Sequence, residues 1–337
     1  MEHINFKSQL IILQIGLLLL LFFSCKTDPN PITTTPTIDI ALVEAPIFSE
    51  DSAYQFVLAQ VQFGPRVPNT PGHEATKNHL VNFLKSYADR VIEQTAQVTA
   101  FDGTILNATN IIASFNPEAK ERIMLSAHWD TRPFADQDSE KQKEPILGAN
   151  DGASGVAVLM EIARLLYLTP VALGVDIILF DAEDYGQPNF SDDPFMLDSY
   201  CLGSQYWAKN LHVPNYTAKF GILLDMVGAP NAIFTHEGTS VKYGNDYLHQ
   251  VWKIAHASGY SSSFSYLQTP PITDDHFYIN QITKIPTIDI IQYDKTSASG
   301  FGWYWHTHND NMDAIDKNTL KAVGQTVLQT IYQEDSN

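Results

Sequence analysis

Apolar residues along the chain recur at two different spacings, which separate the predicted strands from the predicted helices. Strand-like runs predict strands at 91–100, 107–115, 122–128, 174–181, 219–226 and 284–292. Apolar residues at helical spacing predict helices at 51–62, 72–88, 153–168, 200–211, 243–258 and 317–333. Because helices and strands alternate along the chain, the pattern indicates an α/β protein.

Several predicted strands are apolar at almost every position, as in GVDIILF (174–180) and FGILLDM (220–226). Strands that helices cover on both faces have this continuous pattern. The predicted fold is therefore a three-layer α/β/α sandwich with a mixed, centrally parallel twisted sheet. Ligands bind beyond the carboxyl ends of the strands in such sheets, so reactive side chains are expected directly after the strands.

The N-terminal segment follows neither pattern. An almost uncharged run from Leu10 to Phe23 follows Lys7 and leads to Cys25. This arrangement resembles a bacterial lipoprotein signal, in which the cysteine becomes the lipidated first residue of the mature chain. Because Phe22 and Phe23 are bulky for that position, ordinary secretion and an uncleaved membrane anchor remain as alternatives.

Three regions are predicted from these features. Residues 1–25 are interpreted as the signal with its lipidated cysteine, and the Thr- and Pro-rich residues 26–50 as a tether. Residues 51–337 are predicted to form one catalytic α/β domain, since about 300 residues is near the upper size of a single core. The domain would be exported and attached to a bacterial membrane by its lipid, facing the periplasm or the cell exterior.

The net charge of the chain excludes one class of binding partner. A formal net charge of -18 and a pI near 4.8 argue against nucleic acid, whose phosphates require clustered Lys and Arg. Apart from Cys25, the chain contains a single cysteine, Cys201, which is interpreted as a small buried hydrophobic residue.

Carboxylates and histidines accumulate after the predicted strands and in two later loops. After the strands lie His128, Asp130, Asp151, Asp181, Glu183, Asp184 and Asp225, and the later segments ITDDHFY and WYWHTHNDNMD contain Asp274, Asp275, His276, His306 and His308. Crowded carboxylates raise one another's pKa unless a cation neutralises them. Zinc binds His nitrogen and carboxylate oxygen, and a catalytic zinc keeps one position open, so a zinc site is expected here.

Three of these residues permit more detailed interpretation. Glu183 and Asp184 are adjacent, so their side chains should leave the chain in different directions, one toward a metal and one toward a substrate. Asp151 precedes a long predicted helix in a Gly-rich turn, where an Asp is often only an N-cap.

Taken together, the segments HWD, GANDGASG, DAED, LLDMVG, DDH and WHT, with FGPRVPNTPGH upstream, resemble the zinc-dependent, animal-type glutaminyl cyclases. The resemblance includes the bacterial lipoprotein forms of that family, which shares a fold superfamily with zinc aminopeptidases, and it covers roughly residues 50–333. It implies that N-terminal glutaminyl residues of peptides and proteins are cyclised to pyroglutamate with release of ammonia. One zinc ion per chain is implied as the cofactor.

The resemblance also implies the metal ligands. Asp151, Asp184 and His306 match the three ligands of the family's single zinc. Asp184 stands where many relatives have Glu, so the ligand is one methylene shorter and the metal is expected to shift.

The catalytic and pocket residues follow from the same resemblance. Glu183 matches the general acid/base, and Asp225 and Asp274 match acids that are hydrogen-bonded around it and the substrate amine. Trp305 matches the aromatic residue beside the zinc histidine. Crowding by neighbouring acids, including Asp181, is expected to raise the pKa of Glu183.

Two departures from the family pattern leave roles open. Asp289 occupies a position where animal members often have a His. The insert at 186–199 obscures which aromatic lines that side of the pocket, for which Tyr185 and Phe190 are the candidates.

Two other functions remain as alternatives. A co-catalytic dizinc aminopeptidase would use His128 and Asp225 for a second ion bridged by Asp151, and residue spacing does not exclude it. Under the cyclase hypothesis, His128 and Asp130 are structural hydrogen-bonding residues instead. A non-catalytic binding lipoprotein is the second alternative. Loss of the acid/base residue would favour it, but Glu183 is present. The oligomeric state is not predicted.

Overall fold

The computed structural model describes residues 40–336. The α-helices of this part of the chain are α1 (Glu50–Val61), α2 (Pro71–Lys85), α3 (Ala153–Leu168), α4 (Leu202–Lys209), α5 (Gly238–Ala257), α6 (Asp275–Thr283) and α7 (Lys317–Asp335). Its strands are β1 (Arg90–Thr99), β2 (Ile105–Phe115), β3 (Arg122–His128), β4 (Gly174–Phe180), β5 (Gly221–Asp225), β6 (Phe234–Glu237), β7 (Phe264–Thr269) and β8 (Thr287–Ile291). Short 3₁₀ turns lie at Leu197–Ser199 and Met312–Ala314.

Six of the strands form one twisted, mixed sheet in the order β1-β2-β4-β3-β5-β8. β4, β3, β5 and β8 run parallel, whereas β1 and β2 are antiparallel additions at one side. β6 and β7 form a separate parallel pair. The predicted α/β sandwich with a parallel centre is confirmed, and the carboxyl ends of β3, β4 and β5 meet at one edge.

Helices pack on both faces of the sheet, and alternate residues of a strand enter opposite faces. In β4, Ile177 and Leu179 join the larger apolar cluster with helices α1, α2, α3, α5 and α7. Ile178 and Phe180 join a second cluster that contains Trp207 of α4. The double coverage explains the continuous apolar sequence of the central strands.

Most helices begin where the sequence pattern predicts, because polar side chains cap them. Ser49 accepts the backbone N–H of Ser52 at the start of α1, and Asp316 accepts that of Thr319 at the start of α7. Helix α5 begins at Gly238 rather than at residue 243, since Glu237 caps it.

The structure contains three elements that the apolar pattern does not predict: β6, β7 and α6. β6 has only four residues, and three consecutive residues of β7 are exposed, so neither forms a buried apolar run. α6 begins at the acidic pair Asp274 and Asp275, with Asp274 as its N-cap.

The predicted domain boundary at residue 51 is too late. The Gln329 side chain donates to the carbonyl of Val43, and Gln325 accepts the backbone N–H of Phe48, so the segment before α1 lies along α7. Phe48 is fully buried in the core, because Gly324 of α7 leaves room for its ring. The predicted signal and residues 26–39 of the predicted tether lie outside the described residues. Between residues 40 and 336, no helix is both long and apolar enough to span a bilayer.

Candidate metal centre and active site

Sharp backbone turns at the carboxyl edge of the sheet direct the reactive side chains. Ala182, which follows β4 by two residues, has φ 53°, and Met226, which follows β5, has φ 49°. His306, in the loop before α7, has φ 53°. Non-glycine residues seldom adopt this left-handed conformation, and it often occurs where the surrounding structure constrains a functional site.

The turn after β4 separates three neighbouring acids. Asp181 points away from the cavity, because both of its oxygens lie 2.9 Å from Nε2 of His73. Asp130 accepts the backbone N–H groups of Glu183 at 3.0 Å and Asp184 at 3.1 Å. Asp181 is therefore hydrogen-bonded to His73 and does not contribute to the raised pKa of Glu183, so the expectation that it crowds Glu183 is wrong.

Asp151, Asp184 and His306 converge as the sequence predicts. His306 Nε2 lies 3.3 Å from Asp184 Oδ1 and 3.7 Å from Asp151 Oδ2, and all three side chains are buried. Asp184 Oδ2 is also buried and has no hydrogen-bond partner among the described residues. Tetrahedral zinc with bonds of about 2.0–2.2 Å places its ligand atoms about 3.3–3.6 Å apart, so this trio fits zinc.

The residues behind His306 orient its ring. Nδ1 lies 3.4 Å from Asp136 Oδ1, and Asp136 in turn accepts two hydrogen bonds from Arg132, at 2.7 and 2.8 Å. Although burial opposes it, the hydrogen bond from Arg132 holds the pKa of Asp136 well below its usual value. The Trp305 ring stacks on His306 with centroids 3.9 Å apart. A carboxylate on the far nitrogen is the usual support of a metal-binding histidine.

Asp151 does not cap helix α3, because the N-cap is Gly152 and has no side-chain hydrogen bond. The backbone N–H of Asp151 donates instead to Asp310, which also accepts that of Asn150. A Cβ at Gly152 would lie 2.3 Å from the carbonyl oxygen of His128, so only glycine permits this close approach. The Asp151 carboxylate is therefore not used by the helix and is directed at the site.

A second trio uses the other oxygen of Asp151. His128 Nε2 lies 2.9 Å from Asp151 Oδ1 and 3.3 Å from Asp225 Oδ1. These three residues are buried and close enough to hold an ion as well. Although burial opposes it, hydrogen bonds to Asp130, Asp151 and Asp225 raise the pKa of His128 well above its usual value.

Glu183 lies on the wall of the same cavity and points away from the first trio. Its Oε1 lies 3.1 Å from the Cys201 thiol, and its side chain is close to Asp274. Burial raises the pKa of Glu183 well above its usual value, and the charges of Asp184, Asp274 and Asp275 raise it further. The predicted divergence of Glu183 and Asp184 is thus observed.

The acids beside Glu183 continue into a buried network. Burial raises the pKa of Asp225 to about 7 and that of Asp274 above its ordinary value. Asp289 is fully buried, with its Oδ2 3.7 Å from His276 Nδ1. Nε2 of the same histidine lies 3.1 Å from Glu237 Oε1, so His276 lies between Glu237 and Asp289. Burial raises the pKa of Asp289 well above its usual value, and the charge of nearby Asp274 raises it further.

The cavity around these groups has a volume of about 280 Å³. It is lined by the acids Asp151, Glu183, Asp184, Asp225 and Asp274 and by His306. Its other lining residues are Phe195, Leu197, Tyr200, Met226, Ile272, Thr273, Ile291, Phe301 and Trp305. Trp305 lines it as expected. Tyr185 and Phe190 do not, because both pack against Phe134, with centroids 6.1 and 5.5 Å apart. The prediction that they line the pocket is wrong.

The sequence pattern gives no role to several residues that support the site. Cys201 and Asp275 contact or influence Glu183, and Arg132 and Asp136 support His306. Arg132 lies in the segment HWDTRP, so its position after β3 was a usable signal. Cys201 is buried as predicted, but its contact with Glu183 depends on a turn that the pattern does not encode. His308 belongs to neither trio, and its backbone N–H donates to Asp138 Oδ2.

Comparisons with known proteins find relatives by sequence and by fold. The model of peptidase family M28 matches residues 110–331. A glutaminyl cyclase structure from Bacteroides thetaiotaomicron is 53% identical, covers 86% of this chain and 99% of its own, and has a TM-score of 0.84. A Zn-dependent exopeptidase structure from Parabacteroides distasonis is 52% identical with the same coverage and TM-score. The glutaminyl-peptide cyclotransferase of Gloydius blomhoffii is 27% identical over 81% of this chain and 78% of its own length.

Proposed function

The chain belongs to peptidase family M28, and we propose that it is a glutaminyl-peptide cyclotransferase that binds one zinc ion. Its relatives include proteins named glutaminyl cyclase and a Zn-dependent exopeptidase. The observation that carries the proposal is the position of Glu183, which faces the cavity beside the trio of Asp151, Asp184 and His306. A metal site and an acid/base of raised pKa thus share one enclosed space.

Asp151, Asp184 and His306 would hold the ion. Zinc bound there supplies Lewis-acid polarisation of the amide carbonyl of the substrate's glutamine side chain. The shorter Asp184 still reaches the trio, since its Oδ1 lies 3.3 Å from His306 Nε2. Arg132 donates to the carbonyl oxygen of Asp184 at 3.0 Å and keeps this turn in place.

Glu183 moves the proton in the proposed reaction. The substrate's α-amine nitrogen forms a bond to the side-chain amide carbon, and the bond from that carbon to the amide nitrogen breaks. Glu183 accepts a proton from the amine and delivers one to the departing nitrogen, which leaves as ammonia. Its raised pKa suits a group that must both accept and donate near neutral pH. Nucleophile and electrophile belong to one residue, so the cavity's main task is to hold the ring-closing conformer.

The contact between His128 and Asp151 supports one ion rather than two. His128 Nε2 is hydrogen-bonded to Asp225 Oδ1 at 3.3 Å and lies only 2.9 Å from Asp151 Oδ1, which is closer than two ligands of one tetrahedral zinc lie to each other. A dizinc aminopeptidase needs that oxygen for its second ion. His128 and Asp225 therefore act as hydrogen-bonding residues in this proposal.

We also propose that the N-terminal segment is a lipoprotein signal and that the domain is exported on a lipid anchor. The support is the run from Leu10 to Phe23 followed by Cys25. Labelling of the expressed protein with a radioactive fatty acid should be lost in Cys25→Ser; a label that persists in the variant contradicts the proposal.

Two peptides that differ only in their first residue test the enzymatic proposal. Purified protein should release ammonia from a Gln-initiated peptide, and mass spectrometry should show the loss of one ammonia. The matched Leu-initiated peptide should stay intact. Rapid release of free leucine, without ammonia from the first peptide, would support the aminopeptidase instead.

A further inference from the structure

A third cluster of potential metal ligands surrounds the carboxylate of Glu183. Glu183, Cys201 and Asp274 each place one oxygen or sulfur atom within 4.8 Å of the other two. Cys201 Sγ lies 3.1 Å from Glu183 Oε1. None of these three residues belongs to either of the trios that share Asp151. The cluster is therefore a separate candidate site for an ion, and it includes the acid/base of the proposed reaction.

Backbone hydrogen bonds fix the thiol against Glu183. The N–H of Cys201 donates to the carbonyl oxygen of Glu183 at 2.8 Å, and that of Leu202 donates to the carbonyl oxygen of Ala182 at 3.0 Å. Cys201 has φ 58°, so the backbone is left-handed directly before α4. The turn after β4 and the start of α4 are thus joined, and the sulfur atom is held beside the carboxylate.

Asp274 supplies a buried oxygen that lacks a partner. Its Oδ1 accepts the backbone N–H of Asp275, but Oδ2 is buried and has no hydrogen-bond partner between residues 40 and 336. Asp274 is only 5% exposed and lines the catalytic cavity together with Glu183. A buried carboxylate oxygen without a donor costs free energy, and a cation that enters through the cavity would satisfy it.

Negative charge surrounds the thiol. Burial raises the pKa of the Cys201 thiol well above its usual value, and the charges of Glu183, Asp275 and Asp274 raise it further. A dication bound among these groups would neutralise the acids that it binds. Because a metal binds the thiolate, the proton of the S–H group would pass to solvent when the ion enters.

The donor set determines which ion the cluster favours. Calcium and magnesium prefer oxygen ligands, whereas a thiolate favours zinc over both. Zinc bonds of about 2.3 Å to sulfur and about 2.0–2.2 Å to oxygen place neighbouring ligand atoms roughly 3.3–3.6 Å apart. Ligand atoms that lie 3.1 Å apart in one pair, and within 4.8 Å in the others, reach this arrangement through small side-chain movements.

We propose that Glu183, Cys201 and Asp274 form an inhibitory zinc site, which fills when zinc exceeds the one ion of the catalytic trio. A carboxylate that binds zinc does not accept a proton from the substrate amine, so occupancy of the site stops turnover. The inhibition rests on the proposed cyclase function, whereas binding of the ion does not depend on it.

Cobalt tests the site through a signal that requires a thiolate ligand. A bond between Co²⁺ and a thiolate adds a charge-transfer band in the near ultraviolet, and the catalytic trio contains no sulfur. Full-length protein that carries one zinc ion should gain this band with one further equivalent of Co²⁺, and Cys201→Ser should not. Both proteins contain Cys25, so the difference between them belongs to Cys201.

Two results would overturn the site. One is the absence of the band from the unsubstituted protein at a large excess of Co²⁺, and the other is a band of equal strength in Cys201→Ser. Asp274→Asn provides a second variant that retains the thiol, and Asn also caps helices well. It should need a higher Co²⁺ concentration to reach the same band, because an amide is a weaker ligand than a carboxylate. An unchanged titration would remove Asp274 from the site.

Zinc titrations of turnover test the inhibition. Ammonia release from a Gln-initiated peptide is measured against buffered free zinc, relative to each protein's own rate with one ion bound. The half-inhibitory zinc concentration should rise about 100-fold in Cys201→Ser, because a lost ligand costs at least as much affinity as a lost supporting residue. A chelator that removes only the excess zinc should restore the rate of the unsubstituted protein.

His128→Asn is the matched control, because it removes a ligand of the second trio and leaves the thiol in place. Its half-inhibitory zinc concentration should equal that of the unsubstituted protein. A rise in His128→Asn without a rise in Cys201→Ser would assign the inhibitory ion to the second trio and overturn the proposal.

The two measurements separate failure of this site from failure of the cyclase. A cobalt–thiolate band without inhibition by zinc would show that the ion binds and does not block Glu183, which overturns the inhibitory role. No ammonia release from the unsubstituted protein at any zinc concentration would overturn the cyclase proposal, and the cobalt band would still test the metal cluster.

Discussion

The two trios that share Asp151 differ in the spacing of their atoms. In the first, His306 Nε2 lies 3.3 and 3.7 Å from its two carboxylates, close to the separation of about 3.3–3.6 Å that tetrahedral zinc imposes. In the second, His128 Nε2 lies 2.9 Å from Asp151 Oδ1, which is a hydrogen-bond distance.

The direction of the pKa shift does not distinguish His128 from His306. Burial opposes the charged form of both His128 and His306, and nearby carboxylates nevertheless raise the pKa of both. The two trios differ instead in one buried oxygen: Asp184 Oδ2 of the first trio has no hydrogen-bond partner between residues 40 and 336. In the single-ion arrangement that we propose, Asp151 would bind the metal through Oδ2 while its Oδ1 faces His128.

The largest expected effect compares the two histidines. His306→Ala should lose zinc and reduce kcat/KM by about 10³-fold, because Lewis-acid polarisation supplies several kcal/mol. His128→Asn should retain one zinc ion per chain and lose roughly tenfold, as expected for a buried hydrogen bond. Elemental analysis of the purified proteins measures the ions. Two ions in the unsubstituted protein, with one lost in His128→Asn, would establish the dizinc arrangement instead.

The parallel centre of the sheet and the acids at its edge were predictable for one physical reason. Strands covered on both faces must be apolar throughout, so a carboxylate such as Asp225 at the end of such a strand stands out in the sequence. The same reasoning does not reach β7, whose outer residues are exposed, or α6, which starts from an acidic pair. Both elements bury too little apolar surface to leave a periodic signal.

Side-chain direction in the insert was not predictable. Tyr185 and Phe190 are aromatic and near Asp184 in sequence, yet they pack against Phe134. Phe195 and Leu197 face the cavity because Gln187 folds the insert through hydrogen bonds to backbone groups several residues away. Such contacts depend on the loop conformation and have no spacing of their own.

The second prediction separates metal binding from proton transfer at two adjacent residues. Glu183→Gln should keep its zinc and reduce kcat by about 10²- to 10⁴-fold, the contribution of a general acid/base. Asp184→Asn, its neighbour, should lose zinc affinity because the amide is a weaker ligand. Zinc content and ammonia release are measured on the same preparations. Near-normal turnover in Glu183→Gln would remove Glu183 from its proposed role.

The smallest expected effect concerns the support of His306. Asp136→Asn keeps the size of the side chain but removes the negative charge 3.4 Å from His306 Nδ1. Zinc affinity should fall about 10- to 100-fold, as when the carboxylate behind a zinc histidine is lost. Turnover at saturating zinc should change much less, because Asp136 does not line the cavity.

Competition with a chelator of known affinity measures the zinc affinity of Asp136→Asn. Asp138→Asn is the matched control, since Asp138 is a partly exposed acid two residues away that accepts the backbone N–H of His308. It should leave zinc affinity unaltered. If both variants weakened zinc equally, general loss of negative charge near the site would explain the result, and orientation of His306 by Asp136 would not. A selective loss in Asp136→Asn would show that the first trio owes part of its affinity to this carboxylate.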